Sequence, residues 1–279
     1  MAITTLDQLV NALANNASRL VIDKASLTAS SGTLMSMWRA TGQPAQGAIP
    51  GTSPVVPTNA TTGAFDFTQQ TAPATSYLAW LALTGGNNGI GFEVHDRIAH
   101  MGGLVLNVTT SQTITGLDLD PGALNPPAAR LGASDYSDVQ WFLEVYSDGG
   151  GTASNATINV TFGDGTSANL NAVAVGGTLR AGRMIALTPL IATADQGKKI
   201  RRINSVSLSV STGTAGNFGF TCTRQRTSLP LPLANKPEIG DWQALGLAEI
   251  PNGSCLVLVT QTSTTSTGVV RGQGKIAHG

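Results

Sequence analysis

The chain has 279 residues, and its 16 basic and 16 acidic side chains balance to a formal net charge of zero. Charged residues make up only 11% of the sequence, against roughly 25% in an ordinary soluble domain. That excludes the electrostatic footprint of a nucleic-acid or anionic-membrane binder and suits burial against protein neighbours, since interface cores are depleted of charge.

The length allows one large β domain or two small ones. Cys222 and Cys255 are the only cysteines, too few and too far apart for a disulfide framework, and they read as buried reduced thiols. The first residues carry Asp7, no basic leader and no long apolar run, so neither a signal peptide nor a transmembrane helix is expected. The product is expected to stay in the cytosol at least during synthesis.

Thr5 to about Val21 has helical spacing, with Leu6, Leu9, Val10, Leu13, Ala17 and Leu20 on one stripe. Thr5 and Gln8 fit a capping box. The stripe packs on its own domain or docks on a neighbouring subunit. Ser26 to Ala74 is rich in Thr, Pro, Gly and Ala, with an isolated apolar knot at Leu34, Met35, Met37 and Trp38. Its prolines at 44, 50, 54, 57 and 73 predict a long irregular segment ordered by contacts, either across its own sandwich or across a partner. Residues 1–74 therefore read as an N-terminal helix and extended arm. The candidate contact residues are Leu6, Leu9, Val10, Leu13, Met35 and Trp38. Deleting residues 1–25 is expected to leave the rest folded.

Residues 75–279 read as a β-sandwich body. Tyr77 to Leu83 is a continuous apolar run, either a strand covered on both faces or a short helix. Ile90 to His95, Val139 to Tyr146, Ile158 to Phe162, Leu170 to Val175 and Met184 to Leu187 follow as strands. Gly163-Asp164-Gly165 closes a hairpin of the kind Asp-Gly favours. In Ile203 to Arg224, Val206, Leu208 and Val210 alternate with serines, and Phe218, Phe220 and Cys222 alternate again after a small-residue break; we read a central hairpin. Residues 226–250, with Pro230, Pro232 and Pro237, read as a linker. Residues 251–279 close the body with a last pair of strands, Cys255 to Gln261 and Val269 to Ile276. Many short strands separated by turn signals indicate an all-β sandwich or jelly roll.

Chemistry-bearing residues are sparse. His95 and His100 are five residues apart, a spacing that shares a face on neither a helix nor a strand, so HDRIAH reads as a polar corner in which Asp96 pairs with Arg97 or caps a turn. Gly85, Gly86, Gly89 and Gly91 lack the lysine and helix of a phosphate loop. Asp118 and Asp120 lack the further ligands of a calcium loop and read as a solvated loop. Glu93 and Glu144 have the chemistry of a glycosidase pair, but nothing in the sequence brings them together. Trp80, Trp141 and Trp242 are able to stack on sugars, against a need for aromatics in the core. Arg180, Arg183, Lys198, Lys199, Arg201 and Arg202 lack interleaved aromatics, and an interface rim explains them as simply as nucleic acid does. No catalytic, metal or cofactor residues are assigned.

LRAGRMIALTPL (179–190) followed by residues 200–224 resembles structural proteins of tailed-bacteriophage heads. DRIAHMGGLVLNVTTSQTITG (96–116), VQWFLEVYSDGG (139–150) and IPNGSCLVLVTQTSTTSTGVVRGQGKIA (250–277) look like the same pattern. The resemblance covers most of residues 77–279 and matches 1–74 only loosely. It implies a capsid-associated virion component without catalysis. The expected role is a head decoration or cement protein, a trimer on the capsid surface, bound to the major capsid protein and to copies of itself, with no nucleic acid, membrane or cofactor. The alternatives are a major capsid or tail-region subunit and a carbohydrate- or receptor-binding module.

Overall fold

A computed structural model describes residues 2–88, 90–177, 179–231 and 233–279, with Ile90 described by its backbone only. The chain is all-β apart from one ten-residue helix and short helical turns. It divides into two compact units. One comprises Met1–Ala48, Pro57–Asp96 and Gln225–Gly279; the other comprises Ile49–Val56 and Arg97–Arg224. The expected division into an arm over 1–74 and a body over 75–279 is thereby replaced, because residues 1–48 and 57–74 pack into the first unit and 49–56 into the second. Both boundaries inside the body fall within long strands, Ile90–Leu104 and Asn217–Leu231.

The first unit is a β-sandwich. One antiparallel sheet has the order Glu238–Asp241, Ser76–Gly85, Val270–His278, Ala17–Lys24, Gly42–Gln43, and Ala248–Glu249 also pairs with Ser76–Gly85. Against it lies Leu256–Gln261, paired on one side with Leu34–Ser36 and on the other with residues 91–96. Leu20, Ile22, Leu81, Leu83 and Ile276 from the first layer meet Phe92, Val94, Leu256 and Leu258 from the second in a dry core. Each such side chain contributes about 1.5–3 kcal/mol by leaving water.

The helix expected to reach Val21 ends at Asn15, and Ala17–Lys24 is a central strand of the sheet. Leu20, Ile22 and Lys24 are buried while Arg19, Val21 and Asp23 face out, so period two prevails over period 3.6 once Val270–His278 offers a backbone to pair with. Deleting residues 1–25 would remove that strand. The run at 77–83 is a strand, Ser76–Gly85. The linker over 226–250 contains paired strands at Glu238–Asp241 and Ala248–Glu249; Pro232 lies outside the described residues.

Outside residues 49–56, the proline-rich segment is ordered within the first unit. Trp38 is 1% exposed, and its Nε1 donates to the Ala48 carbonyl at 2.8 Å. A Cβ on Gly47 would lie 2.1 Å from the indole Cε2 and one on Gly63 would lie 2.9 Å from Cζ3. The glycines of this stretch therefore make room for the ring to be sandwiched. Met35 is buried here as well.

The second unit holds the sheet Val173–Val175, Ser154–Phe162, Ile200–Leu208, Gln112–Thr113. Its second layer pairs Gln140–Ser147 with Arg183–Ala186 and with residues 217–223. Ile158, Val160, Val206 and Leu208 pack with Trp141, Leu143, Phe218 and Phe220. The Gly163–Gly165 hairpin is present, joining Ser154–Phe162 to Ser167–Asn169, with Gly165 at φ 84°. The central hairpin over 203–224 is not. Ile200–Leu208 pairs with Ser154–Phe162, whereas residues 217–223 pair with Gln140–Ser147 in the other layer. The last two strands likewise belong to different sheets, Leu256–Gln261 to one and Val270–His278 to the other.

Candidate functional site

One surface with exposed apolar side chains lies on the first unit, at the helix Leu6–Asn15 and the outer face of the sheet beneath it. Thr5 caps the helix: its Oγ1 accepts from Gln8 N at 3.3 Å and its own N–H donates to Gln8 Oε1 at 3.1 Å. That satisfies amides which the first turn leaves orphaned. The helix ends where Asn16 locks onto the last strand. Asn16 Nδ2 donates to the His278 carbonyl at 2.9 Å, and the His278 N–H donates to the Asn16 carbonyl at 2.9 Å. Leu9 and Ala12 are buried on Ala79 and Ala277, with Leu13 half-buried beside them. Leu6 and Val10, one turn apart at the outer edge of the same stripe, are 55% and 57% exposed.

Of the six contact residues read from the sequence, Leu6 and Val10 are therefore open to a neighbour and Leu13 is partly so. Leu9, Met35 and Trp38 are buried by their own unit and are unavailable to a partner. The arm reading failed at Met35 and Trp38 because an apolar knot among prolines looks the same whether a partner or the chain itself covers it.

Strand register builds the rest of the face. Asp241 pairs with Trp80, Trp80 with Lys275 and Lys275 with Arg19. Those four side chains form a row across four adjacent strands, spaced about 4.8 Å apart. The next row is Ile239, Ala82, Gln273 and Val21, in which Ile239 is 63% exposed and Val21 50%. Beside the helix this face opens into a cleft of about 560 Å³ lined by Leu13, Arg19, Ala79, Trp80, Asp241, Trp242, Gln273, Gly274 and Lys275. Trp242 is 37% exposed. Asp241 Oδ1 accepts from Gln243 N at 3.1 Å and Ala244 N at 2.9 Å, which fixes the turn that carries Trp242. Lys275 Nζ donates to the Leu13 carbonyl at 3.2 Å, holding the helix end to the sheet. Sequence reading singled out Trp80 and Trp242. It missed Arg19, Asp241, Gln273 and Lys275, which come together only through pairing across strands far apart in the chain.

The remaining candidates are absorbed by structure. Asp96 pairs with Arg226 at 3.0 Å and also accepts from Ser254 Oγ at 2.8 Å and Cys255 N at 2.9 Å. His95 Nε2 lies 2.6 Å from Glu93 Oε2. In the second unit, Arg97 grips Glu144 through two bonds of 2.7 and 2.8 Å. Thr221 Oγ1 and, at 3.2 Å, Tyr146 OH also donate to Glu144. Burial first, then the Glu144 charge, holds the Tyr146 phenol far above its ordinary range. Burial first, then Arg97, holds His100 well below its ordinary value, so it stays neutral. This network is a paired, dry charge cluster rather than a glycosidase acid. Asp118 is buried and paired with Arg201 at 3.0 Å, with Asp120 at 3.4 Å from the same guanidinium, so it is not a solvated loop residue.

The basic cluster meets acids of its own unit, as in Lys198 with Asp195 at 2.9 Å and Arg180 with Asp148 at 3.1 Å. Trp141 is buried, with Nε1 donating to the Ile200 carbonyl at 2.9 Å. Cys222 and Cys255 are buried thiols, not joined in a disulfide. Among the described residues no group of three metal-ligating side chains converges. Gly89 of the glycine-rich loop lies outside them.

No protein-family model matches the chain, and no curated protein sequence matches it. Solved structures with some similarity come from infectious bursal disease virus. One is the structure of its Gt strain, with 12% identity over 94% of this chain and 80% of that one, at a TM-score of 0.20. Another is its VP2 subviral particle, with 13% identity over 94% and 80% and a TM-score of 0.20. A third is a mutant VP2 in derived T=1 particles, with 12% identity over 97% and 82% and a TM-score of 0.18. Backbones related at such scores do not superpose as one fold, and the likeness carries no argument for this chain.

Proposed function

We propose that the chain is a non-catalytic structural protein of a virion, a head decoration or cement protein of a tailed phage that sits on the capsid surface. The observation that carries this reading is the pair Leu6 and Val10, more than half exposed on a helix whose other face is firmly anchored, on a chain with only 11% charged residues. A rigidly held apolar line on a weakly charged surface is built to be covered by protein. Repeated around a lattice, modest contacts of this kind add up through multivalency. The head-protein resemblance of residues 179–224 supports the same reading. The partners would be the major capsid protein and further copies of this chain, arranged as a trimer, with assembly following synthesis in the host cytoplasm.

The test is a Leu6→Asp/Val10→Asp double variant, which leaves the buried Leu9 and Ala12 face intact. It should keep the melting profile of the parent and lose at least about tenfold in affinity for undecorated capsids, measured by co-sedimentation. Unchanged binding by a folded double variant overturns the reading. A major capsid or tail-region subunit is the second reading, and copy number per particle by gel densitometry separates the two.

A further inference from the structure

We propose that the cleft between the helix end and the sheet binds a short carbohydrate, with preference for a pyranose that bears a carboxylate. The inference goes beyond the structural role and does not depend on it. At about 560 Å³, the cleft falls in the range of small-ligand pockets, about 300–1,000 Å³. A pyranose ring has an apolar face of C–H bonds and a rim of hydroxyls. An aromatic wall covers the first and planar polar groups satisfy the second. The cleft supplies both. Trp80 and Trp242 form its aromatic wall, while Asp241, Gln273 and Arg19 reach it from three different strands.

The polar groups are differently committed. Asp241 spends one carboxylate oxygen, Oδ1, on two turn amides, which orients the group and leaves Oδ2 to accept from sugar hydroxyls. Lys275 spends a bond on the Leu13 carbonyl. Arg19 is exposed and makes no ion pair among the described residues. With Lys275 beside it in the same row, it gives that end of the cleft a positive charge, and the nearby Asp66, which lines the adjoining pocket with Arg19, makes no ion pair with it among the described residues. A guanidinium presented in this way matches a carboxylate bidentately. The sugar would lie with its ring against the indoles and its carboxylate toward Arg19. Asp241, at the opposite end of the row, would repel the reverse orientation.

The experiment is a panel of neutral, uronic-acid and sialic-acid oligosaccharides, read by ligand-observed NMR and by the shift in tryptophan fluorescence of the full chain. Carboxylate-bearing sugars should bind and neutral ones should bind several-fold more weakly. Trp242→Ala should lower affinity by about tenfold, and Arg19→Met should erase the preference for the acid while keeping the neutral binding. Both substitutions are at exposed positions, and an unchanged circular dichroism spectrum checks the fold. Absence of binding across the panel, binding that survives Trp242→Ala, or an acid preference that survives Arg19→Met overturns the proposal. Leu6 adjoins Trp242, so the separating variant is Val10→Asp alone: it should weaken capsid binding and retain sugar binding, and Arg19→Met should leave capsid affinity unchanged, so the two proposals fail separately.

Discussion

Lys24 shows how much a single residue carries here. It lies at the end of the Ala17–Lys24 strand and is 2% exposed. No carboxylate meets it among the described residues. Instead its Nζ donates to the carbonyls of Ala40 at 3.0 Å, Pro44 at 2.6 Å and Ala45 at 3.4 Å. One ammonium thus ties the irregular 40–45 segment to the sheet and gives the buried Ala40 carbonyl a donor, with the part-buried Pro44 and Ala45 carbonyls sharing the same cation. Burial pushes its pKa down from 10.5 to about 8. Between those values the unfolded chain holds the extra proton, so stability should rise as pH climbs from about 8 to about 10.5. Below that window both states are protonated and the effect is constant. Lys24→Met should flatten this rise and cost roughly 1–3 kcal/mol at pH 7, because the carbonyls lose their donor. Urea unfolding across pH 7–10.5 checks both. Nothing in the sequence marked Lys24, since a lysine at the end of an alternating strand ordinarily points to water.

At the scale of the element, the sequence signals which segments are strands better than it signals their partners. Alternation located Ile158–Phe162 and Val206–Leu208 because period two is a property of one strand and one buried face. The Asp164-Gly165 turn located a pairing as well, because a short loop leaves its flanking strands no other neighbour. The eight residues between Leu208 and Asn217 impose no such constraint, and the chain uses them to change sheets. The helix was legible through its cap but not its end, since Leu13, Ala17 and Leu20 keep the helical spacing while Leu20 and Ile22 already follow the strand's alternation. What fixes that end is a long-range latch on His278. Its Nε2 accepts from Ser18 N at 3.2 Å and lies 2.7 Å from Ser18 Oγ, while Nδ1 lies 2.9 Å from Ser76 Oγ.

Accepting from a backbone N–H requires Nε2 without a proton, and burial holds the ring below its ordinary value of 6.5. An unfolded chain takes up the proton near 6.5 and the folded one resists it, so the latch should weaken as pH falls below about 6.5. Amides of Ala17–Lys24 and Val270–His278 should then exchange faster at pH 5 than at pH 7 after correction for intrinsic rates. His278→Gln should remove the difference. Equal protection at both values would show that the ring does not govern this edge.

For the whole molecule, composition and alternation gave the all-β class, but the division into two units was hidden. The boundaries at 96–97 and 224–225 cut through continuous strands; nothing in the pattern marks the first, and the prolines that follow the second read as a linker within one body rather than as a boundary between two. The contact face was half legible for a related reason. Leu6 and Val10 lie on a local helical line, whereas the cleft is assembled from residues near 19, 80, 241 and 273. The architecture also changes what a truncation means. Removing residues 1–25 takes away a strand whose Leu20 and Ile22 sit in the first unit's core and whose backbone pairs with residues 270–277. That loss exposes an unpaired inner edge and at least two core side chains, a cost of several kcal/mol, on the order of the total stability of a domain. Deletion of 1–25 should therefore yield aggregated protein by size-exclusion chromatography, whereas deletion of 1–4 should leave a folded chain with the Thr5 cap in place. A soluble, cooperatively melting product from the longer deletion would mean that the strand Ala17–Lys24 is dispensable and that the leading residues act as a detachable arm after all.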